Sequence, residues 1–173
     1  MVTSSSTAIG HALAPGSDLT NEAQRLIYHE ADLLDQGRYD EWFSLFSNTA
    51  TYWIPSWKSE FELVEDVTKE LSYIYLTHDM LRDYVVRMNS SSAFVMGPGL
   101  RTTRLIGNLQ FEDGQPMCVN SRWVMHVYRR HQSELFSGQC KHEFVVQEGR
   151  LLIAAKRVVL INDQFEFGHM PLV

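Results

Sequence analysis

The sequence has little of several features that often reveal a protein's function. Cysteine is scarce, since only Cys118 and Cys140 occur among 173 residues. No apolar run reaches the roughly 18 residues that a membrane-spanning helix needs. The first 17 residues lack the charged start and long apolar core of a secretory signal peptide. We therefore predict a cytoplasmic protein with two buried free thiols, and a disulfide between them stays open only if the strands that carry them pair.

An excess of positive charge is also missing. The chain has 15 lysines and arginines against 21 acidic residues, and its net charge is −6. This balance argues against binding to nucleic acid or to an anionic membrane surface.

Metal and nucleotide motifs are absent as well. The chain has no His-Glu-x-x-His sequence and no Cys-x-x-Cys pair. His126 and His131 are five residues apart on an expected strand, so they should face opposite sides. The segment Gly97-Pro98-Gly99 lacks the rest of a phosphate-binding loop and is typical of a turn. We predict no metal and no cofactor on this chain, although a site built from distant segments stays open.

Ordinary globular composition is what the chain does have. Hydrophobic residues make up 45% of it and charged residues 21%. A chain of this size forms one domain and buries a sizeable core. We predict a flexible tail over residues 1–17, which are small and polar, and a single domain over residues 18–173.

Helices are expected in the first half. Asp18 or Thr20 is placed to cap the first helix, and Gly37 to end it in the left-handed conformation. Asp40 is placed to cap a second, short helix, and Asp79 a third. The three helices carry their apolar residues at helical spacing: Ala23, Leu26, Ile27, Ala31 and Leu34; Trp42, Phe43 and Phe46; Leu81, Tyr84, Val85 and Met88.

Strands dominate the second half. We expect them over 49–54, 71–76, 119–130, 136–147 and 151–161, with a further strand that starts at Arg101. Leu105, Gly107, Leu109 and Phe111 should share one face of that strand. Asp113-Gly114 and Glu148-Gly149 are typical turns. The class is α+β: helices packed on a strongly curved mixed or antiparallel sheet, with the second face of the sheet free for a partner chain.

Two sets of side chains are candidates for a functional role. His78, Asp79, Tyr75 and His126, with Tyr73 and His142 beside them, would suit acid–base chemistry in a closed cavity. The competing interpretation places these polar groups along sheet edges and interfaces. Trp53 and Trp57 belong to an aromatic cluster that is either core or a subunit interface.

Blocks of sequence along most of residues 22–160 resemble a known family. The segment 84–88 (Tyr-Val-Val-Arg-Met) is similar to that family's Arg-Val-x-Arg-Leu helix, with Tyr84 in place of the first Arg. Residues 98–109 are similar to its Pro-rich turn and Arg-x-x-Arg…Ser-Asn-Val strand, with Gly107 for Ser and Leu109 for Val. The opening and closing blocks that match are Glu22-Ala23, Leu34-Asp35, Tyr39, Glu41-Trp42, Leu45-Phe46, Tyr52, Pro55, Gly138 and Arg157-Val158-Val159-Leu160. The family is the small (beta) subunit of aromatic-ring-hydroxylating dioxygenases.

The resemblance implies a cone-shaped fold like that of nuclear transport factors and scytalone dehydratase. It implies a non-catalytic, structural subunit that assembles with an alpha subunit, three of each. The alpha subunit would carry a Rieske [2Fe-2S] cluster and a mononuclear Fe(II), with electrons from NADH through a reductase or ferredoxin. Residues expected to make structural or subunit contacts are Trp53, Trp57, Arg87, Arg101, Arg104 and Asn108. The alternative is a self-sufficient cone-fold dehydratase or isomerase that uses a His–Asp pair.

Overall fold

The computed structural model describes residues 11–12, 18–90, 100–112, 114, 116–162, 164–165 and 172–173. Within these residues, three helices and seven strands follow one another along the chain. They are β1 (His11–Ala12), α1 (Leu19–Asp35), α2 (Tyr39–Phe43), β2 (Phe46–Pro55), β3 (Ser72–Thr77), α3 (His78–Met88), β4 (Arg101–Glu112), β5 (Met117–Arg129), β6 (Gln132–Gln147) and β7 (Arg150–Leu160).

The signals at both ends of α1 work as expected. Asp18 caps the helix, because its carboxylate accepts a hydrogen bond from the Thr20 backbone N–H at 3.0 Å. Gly37 follows the helix with φ at 69°, the left-handed conformation that glycine adopts at little cost. The helix buries one apolar face, which consists of Ala23, Leu26, Ile27, Leu33 and Leu34.

Three expectations for the shorter helices are wrong. Phe46 does not extend α2 but begins β2, where it pairs with Ile153 of β7. Asp40 lies in the first turn of α2 rather than at its cap, and its carboxylate accepts from Asn89 Nδ2 at 3.0 Å. The cap position of α3 is Thr77, one residue before the helix, so Asp79 also lies in the first turn. Phe46 and Asp40 have partners that are distant in sequence, and local patterns do not show such contacts.

The sheet is mixed, with strand order β3-β2-β7-β6-β5-β4. Its neighbours pair antiparallel except β2 and β7, which are parallel. The short strand β1 pairs with the start of β7, through His11 opposite Leu151. The rest of the predicted tail lies outside the described residues, so its flexibility stays a prediction.

A β-bulge in β4 overturns the expected strand face. Pairing with β5 is interrupted between Gly107 and Gln110, and Asn108 has a φ of 50°. Leu105 is therefore exposed on the outer face, whereas Leu109 and Phe111 pack against the core. A bulge adds one residue to a strand and reverses the faces that follow it.

The turn at Glu148-Gly149 is confirmed, with φ values of 50° and 71°. The expected turn residue Asp113 and most of the loop expected at 89–99 lie outside the described residues. Both cysteines are buried free thiols. Although β5 and β6 pair, their register sets Cys118 opposite Glu143 and Cys140 opposite Ser121, so the two sulfurs do not meet.

None of the helices in the described part of the chain is long and apolar enough to cross a membrane. The core lies between the helices and one face of the sheet. Its largest fully buried side chains include Trp42, Tyr52, Trp123 and Phe136.

Candidate functional site

A cluster of buried charges lies between α1 and the sheet. The Glu30 carboxylate accepts from Lys156 Nζ at 2.6 Å and from Trp42 Nε1 at 3.0 Å through Oε1. Its second oxygen, Oε2, lies 2.9 Å from His142 Nε2. The side chains of Glu30, His142 and Lys156 are almost completely removed from solvent. We call these three residues the interior triad.

Backbone geometry explains why the triad converges. Glu30 lies four residues after Leu26 and four before Leu34, so the helical period turns it towards the sheet. His142 of β6 and Lys156 of β7 are directly opposite each other in the strand register, so their side chains leave the same face. One helix and two neighbouring strands therefore bring two cations to one carboxylate.

The charges in the triad support one another. Burial opposes the charged form of Glu30, but Lys156 and His142 outweigh it and lower the pKa of the carboxyl group to about 2. Burial likewise opposes the charged form of His142, but Cys140 and Glu30 raise the pKa of the imidazole to about 9. The raised pKa favours the imidazolium form of His142, which pairs with the Glu30 carboxylate.

A second ion pair lies beside the triad. The Arg104 guanidinium of β4 donates to the Asp35 carboxylate at the end of α1, and the Arg104 backbone N–H donates to the same group at 2.8 Å. Thr102 Oγ1 donates to it as well, at 2.7 Å. Burial lowers the pKa of Arg104, and the nearby Asp35 raises it. Asp35 thus ties the end of α1 to the edge of the sheet.

Little free space remains around these groups. The cavity lined by the triad, Arg104 and Trp123 measures about 20 Å³. That volume holds one water molecule and no aromatic substrate. Met88 and Trp123 are both buried, so their side chains also fill the core.

The residues proposed for acid–base chemistry lie elsewhere. His78 begins α3 and stacks on Phe43 at 4.8 Å, and its Nδ1 is 3.7 Å from the carboxylate of the exposed Asp79. Tyr75 is on the outer face of β3, opposite Trp53. His126 is exposed on the outer face of β5. Among the six acid–base candidates of the sequence analysis, only His142 belongs to a buried carboxylate–imidazole pair. Its partner is Glu30.

Metal ligands do not cluster in the described part of the chain. No group of three or more His, Cys, Asp or Glu side chains there is arranged to hold a metal ion. The residues described here therefore offer no fit for the iron centres of a ring-hydroxylating dioxygenase.

Trp53 and Trp57, the candidates for core or interface, are half-buried and anchored. Trp53 Nε1 donates to Ser72 Oγ at 2.9 Å, and the Arg157 guanidinium lies 4.8 Å from the Trp53 ring centroid on the outer sheet face. Trp57 Nε1 donates to the Leu160 carbonyl at 2.8 Å. Each ring keeps part of its surface exposed while its N–H is satisfied internally.

The four polar residues that were expected to make structural or subunit contacts lie in different environments. Arg87 and Arg101 are exposed and lie over the rings of Tyr84 and Tyr128, at 5.6 Å and 4.5 Å. Arg104 is the buried partner of Asp35 described above. Asn108 forms the bulge of β4. Their roles in subunit contact stay predictions.

Sequence reasoning missed Glu30 and Lys156 as members of a site. A signal was present, because Glu30 interrupts the apolar stripe of α1 at a buried position. A charged residue inside such a stripe is almost never fully buried without a partner. The partners themselves follow only from strand register, which the sequence does not display.

Comparison with known proteins shows the family to which the chain belongs. Residues 29–166 match the family model described as ring hydroxylating beta subunit. The small subunit of 2-halobenzoate 1,2-dioxygenase from Burkholderia cepacia is 33% identical over 140 residues, which span 79% of this chain and 85% of that protein.

Solved structures show the same fold. The beta subunit of benzoate 1,2-dioxygenase from Burkholderia mallei has a TM-score of 0.70 at 27% identity, with 91% of this chain and 100% of that one covered. A candidate scytalone dehydratase from Novosphingobium aromaticivorans has a TM-score of 0.58 at 12% identity over 82% of this chain and 83% of that one, a likeness of fold alone. The predicted cone-shaped α+β class is confirmed. This chain belongs to the family of ring-hydroxylating beta subunits.

Proposed function

We propose that this chain is the non-catalytic, structural subunit of a multicomponent aromatic-ring-hydroxylating dioxygenase. It supports an alpha subunit that carries the Rieske [2Fe-2S] cluster and the mononuclear Fe(II), and that cis-dihydroxylates an aromatic substrate. Electrons come from NADH through a reductase or a ferredoxin. The assembly has three subunits of each kind and works in the cytoplasm.

The observation that carries the proposal is a groove on the outer face of the sheet in which three apolar side chains are exposed. Leu105, Val124 and Leu135 come from three neighbouring strands and are 75%, 39% and 58% exposed. The groove is open and measures about 400 Å³, and its other lining residues are polar: Thr103, His126, Ser133 and Glu134. We call this surface the outer groove.

Clustered apolar side chains on a sheet face that none of the three described helices covers are typical of a protein–protein interface. Leu105 and Val124 are direct cross-strand partners, so their exposed surfaces are continuous. The cavity beside the interior triad is far smaller than the outer groove, and the charges around it are paired. The chain is thus better suited to hold a partner than to turn over a substrate.

Co-purification tests the proposal. We would co-express the chain with an affinity-tagged alpha subunit from the same genome and recover the complex. We expect the chain to be recovered with the tagged subunit in equal amounts. Recovery of the tagged subunit alone, with this chain folded and present in the lysate, would contradict the proposal.

A matched pair of variants tests the surface. Leu135→Glu places a charge in the outer groove, and we expect at least about tenfold weaker association because an unpaired buried charge is costly at an interface. Val146→Glu is the control, since Val146 is a similarly exposed residue of the same strand on the other face. Equal binding by both variants would exclude the outer groove as the contact surface.

A further inference from the structure

Two residues from the far end of the sequence fill the interior of the cone. Leu172 and Val173 are 0% and 5% exposed, and Val173 lines the cavity beside the interior triad. They are far in sequence from the residues that hold them, which come from β2 and β4.

The dipeptide is held through its main chain. The Tyr52 hydroxyl donates to the Val173 main-chain oxygen at 3.0 Å and lies 3.1 Å from the Val173 N–H, from which it accepts. The Arg104 guanidinium donates to the Leu172 carbonyl through Nη2. Tyr52 is 0% exposed and the Arg104 side chain is 2% exposed. Both anchors are therefore deeply buried polar groups that need a partner.

The cavity beside these two residues is also lined by hydrogen-bond donors that lack a partner. Among the described residues, Arg104 Nε and Trp123 Nε1 are buried and have no hydrogen-bond partner, and both residues line the cavity. Its apolar walls include Ile27, Leu34 and Ile106. Apolar walls with a few convergent polar groups are the usual make-up of a small-molecule site.

The charge of the region favours a ligand that accepts hydrogen bonds. Lys156, Arg104 and the protonated His142 supply three cations, while Glu30 and Asp35 supply two carboxylates. A guanidinium and a hydroxyl suit an amide or carboxylate oxygen.

We propose that the cone of this subunit contains a ligand pocket which residues 172–173 occupy as a built-in plug. With the plug removed, the pocket takes a small molecule that carries an amide or carboxylate group on a branched apolar body. Tyr52 and Arg104 bind the polar group, and the apolar walls hold the body. This assignment does not depend on which partner the subunit assembles with.

Complementation in trans tests the plug. We would prepare the chain without Leu172 and Val173 and measure its thermal unfolding with and without millimolar N-acetyl-Leu-Val. We expect the shortened chain to unfold at a lower temperature, and the dipeptide to raise that temperature in the shortened chain but not in the full chain. N-acetyl-Leu-Lys is the matched probe and should have no effect, because its side chain would bury a charge.

The hydrogen bonds to the plug supply a second readout. In the shortened chain, Tyr52→Phe should weaken dipeptide binding by roughly tenfold or more, because it removes both hydrogen bonds to the valine. Tyr28→Phe, at an exposed tyrosine of α1, should leave binding unchanged. A folded shortened chain that does not respond to the dipeptide would overturn the proposal.

The 173-residue chain tests the position of the plug even if the shortened chain does not fold. Hydrogen exchange of the Val173 amide should be slowed at least about a hundredfold relative to an unstructured peptide. Tyr52→Phe should abolish that protection, and Tyr28→Phe should keep it. Exchange of this amide at the unstructured rate in the wild-type chain would overturn the proposal.

Discussion

At the residue scale, the interior triad is a feature that we expect to matter strongly for stability. Two cations share one buried carboxylate, so each charge depends on the others for compensation. Single residues indicated the cap at Asp18, the helix end at Gly37 and the turn at Glu148-Gly149, whereas the caps expected at Asp40 and Asp79 were wrong. The triad was not predicted, because it needs three elements to be placed correctly at once.

Glu30→Gln should reduce the free energy of unfolding by about 3–5 kcal/mol, because the amide keeps the shape but leaves Lys156 and His142 without a negative partner. Urea unfolding at neutral pH measures the loss.

Glu22→Gln on the same helix is the matched control for this change. Glu22 pairs with Arg25, whose side chain is largely exposed, so the control should cost no more than about 1 kcal/mol. Equal losses in the two variants would show that the triad contributes no more than a surface pair.

The triad also predicts how stability depends on pH. The pKa of His142 is raised from 6.5 to about 9, so its contribution is complete below pH 6.5 and is lost as the pH rises through 9. The pKa of Glu30 is lowered from 4.5 to about 2, so its contribution is complete above pH 4.5 and is lost as the pH falls through 2.

Urea unfolding below pH 6.5 and again above pH 9 measures how much stability is lost as His142 is deprotonated. We expect the wild type to lose stability across this range and His142→Gln to lose less. A wild-type curve with the same slope as the variant would mean that His142 is already neutral in the folded protein.

At the element scale, the contact between β6 and β7 depends on one glycine. A Cβ atom on Gly138 would lie 1.9 Å from the Val159 carbonyl oxygen, far inside contact distance. The two strands pair continuously there, with Gly138 opposite Leu160. Any larger residue at position 138 would therefore force the backbones of β6 and β7 apart.

Gly138→Ala should therefore reduce the free energy of unfolding by about 1–3 kcal/mol, the usual cost of overpacking. Gly107→Ala is the matched control, since a Cβ there meets nothing within 4 Å. We expect it to keep the stability of the wild type or to raise it by up to about 1 kcal/mol, because glycine weakens a strand. Chemical unfolding of both variants side by side measures the difference, and a Gly138→Ala protein as stable as the control would contradict the close approach.

Local patterns predicted most elements but not their irregularities. The period-two pattern after Arg101 gave β4 to β7 within a few residues of their observed bounds. The bulge at Asn108 was missed, and so was the start of β2 at Phe46. Both depend on pairing with another strand, which is a long-range property.

At the scale of the whole molecule, the order of the strands brings the two ends of the domain together. β2 joins the sheet beside β7 as its parallel member, so the first and last long strands are neighbours. The sequences of β2 and β7 do not predict this pairing. The apolar residues on both faces of β7 indicated only that both faces of the sheet are covered there. The family, by contrast, was predictable, because the order of several weak blocks carries more information than any one of them.

The outer face of the sheet is the surface that we expect to contact a partner subunit. Helices cover one face, and the outer groove lies on the other. The prediction of a dioxygenase beta subunit is confirmed at the level of the family. The proposal that the alpha subunit carries the iron and the catalysis, and that this chain is structural, needs experiment.

Assignment of iron to separate chains tests that division most directly. The purified complex would be dissociated, its chains separated under conditions that retain bound metal, and iron measured in each by mass spectrometry. We expect all of the iron with the alpha subunit and none with this chain. Stoichiometric iron bound to this chain would contradict the account.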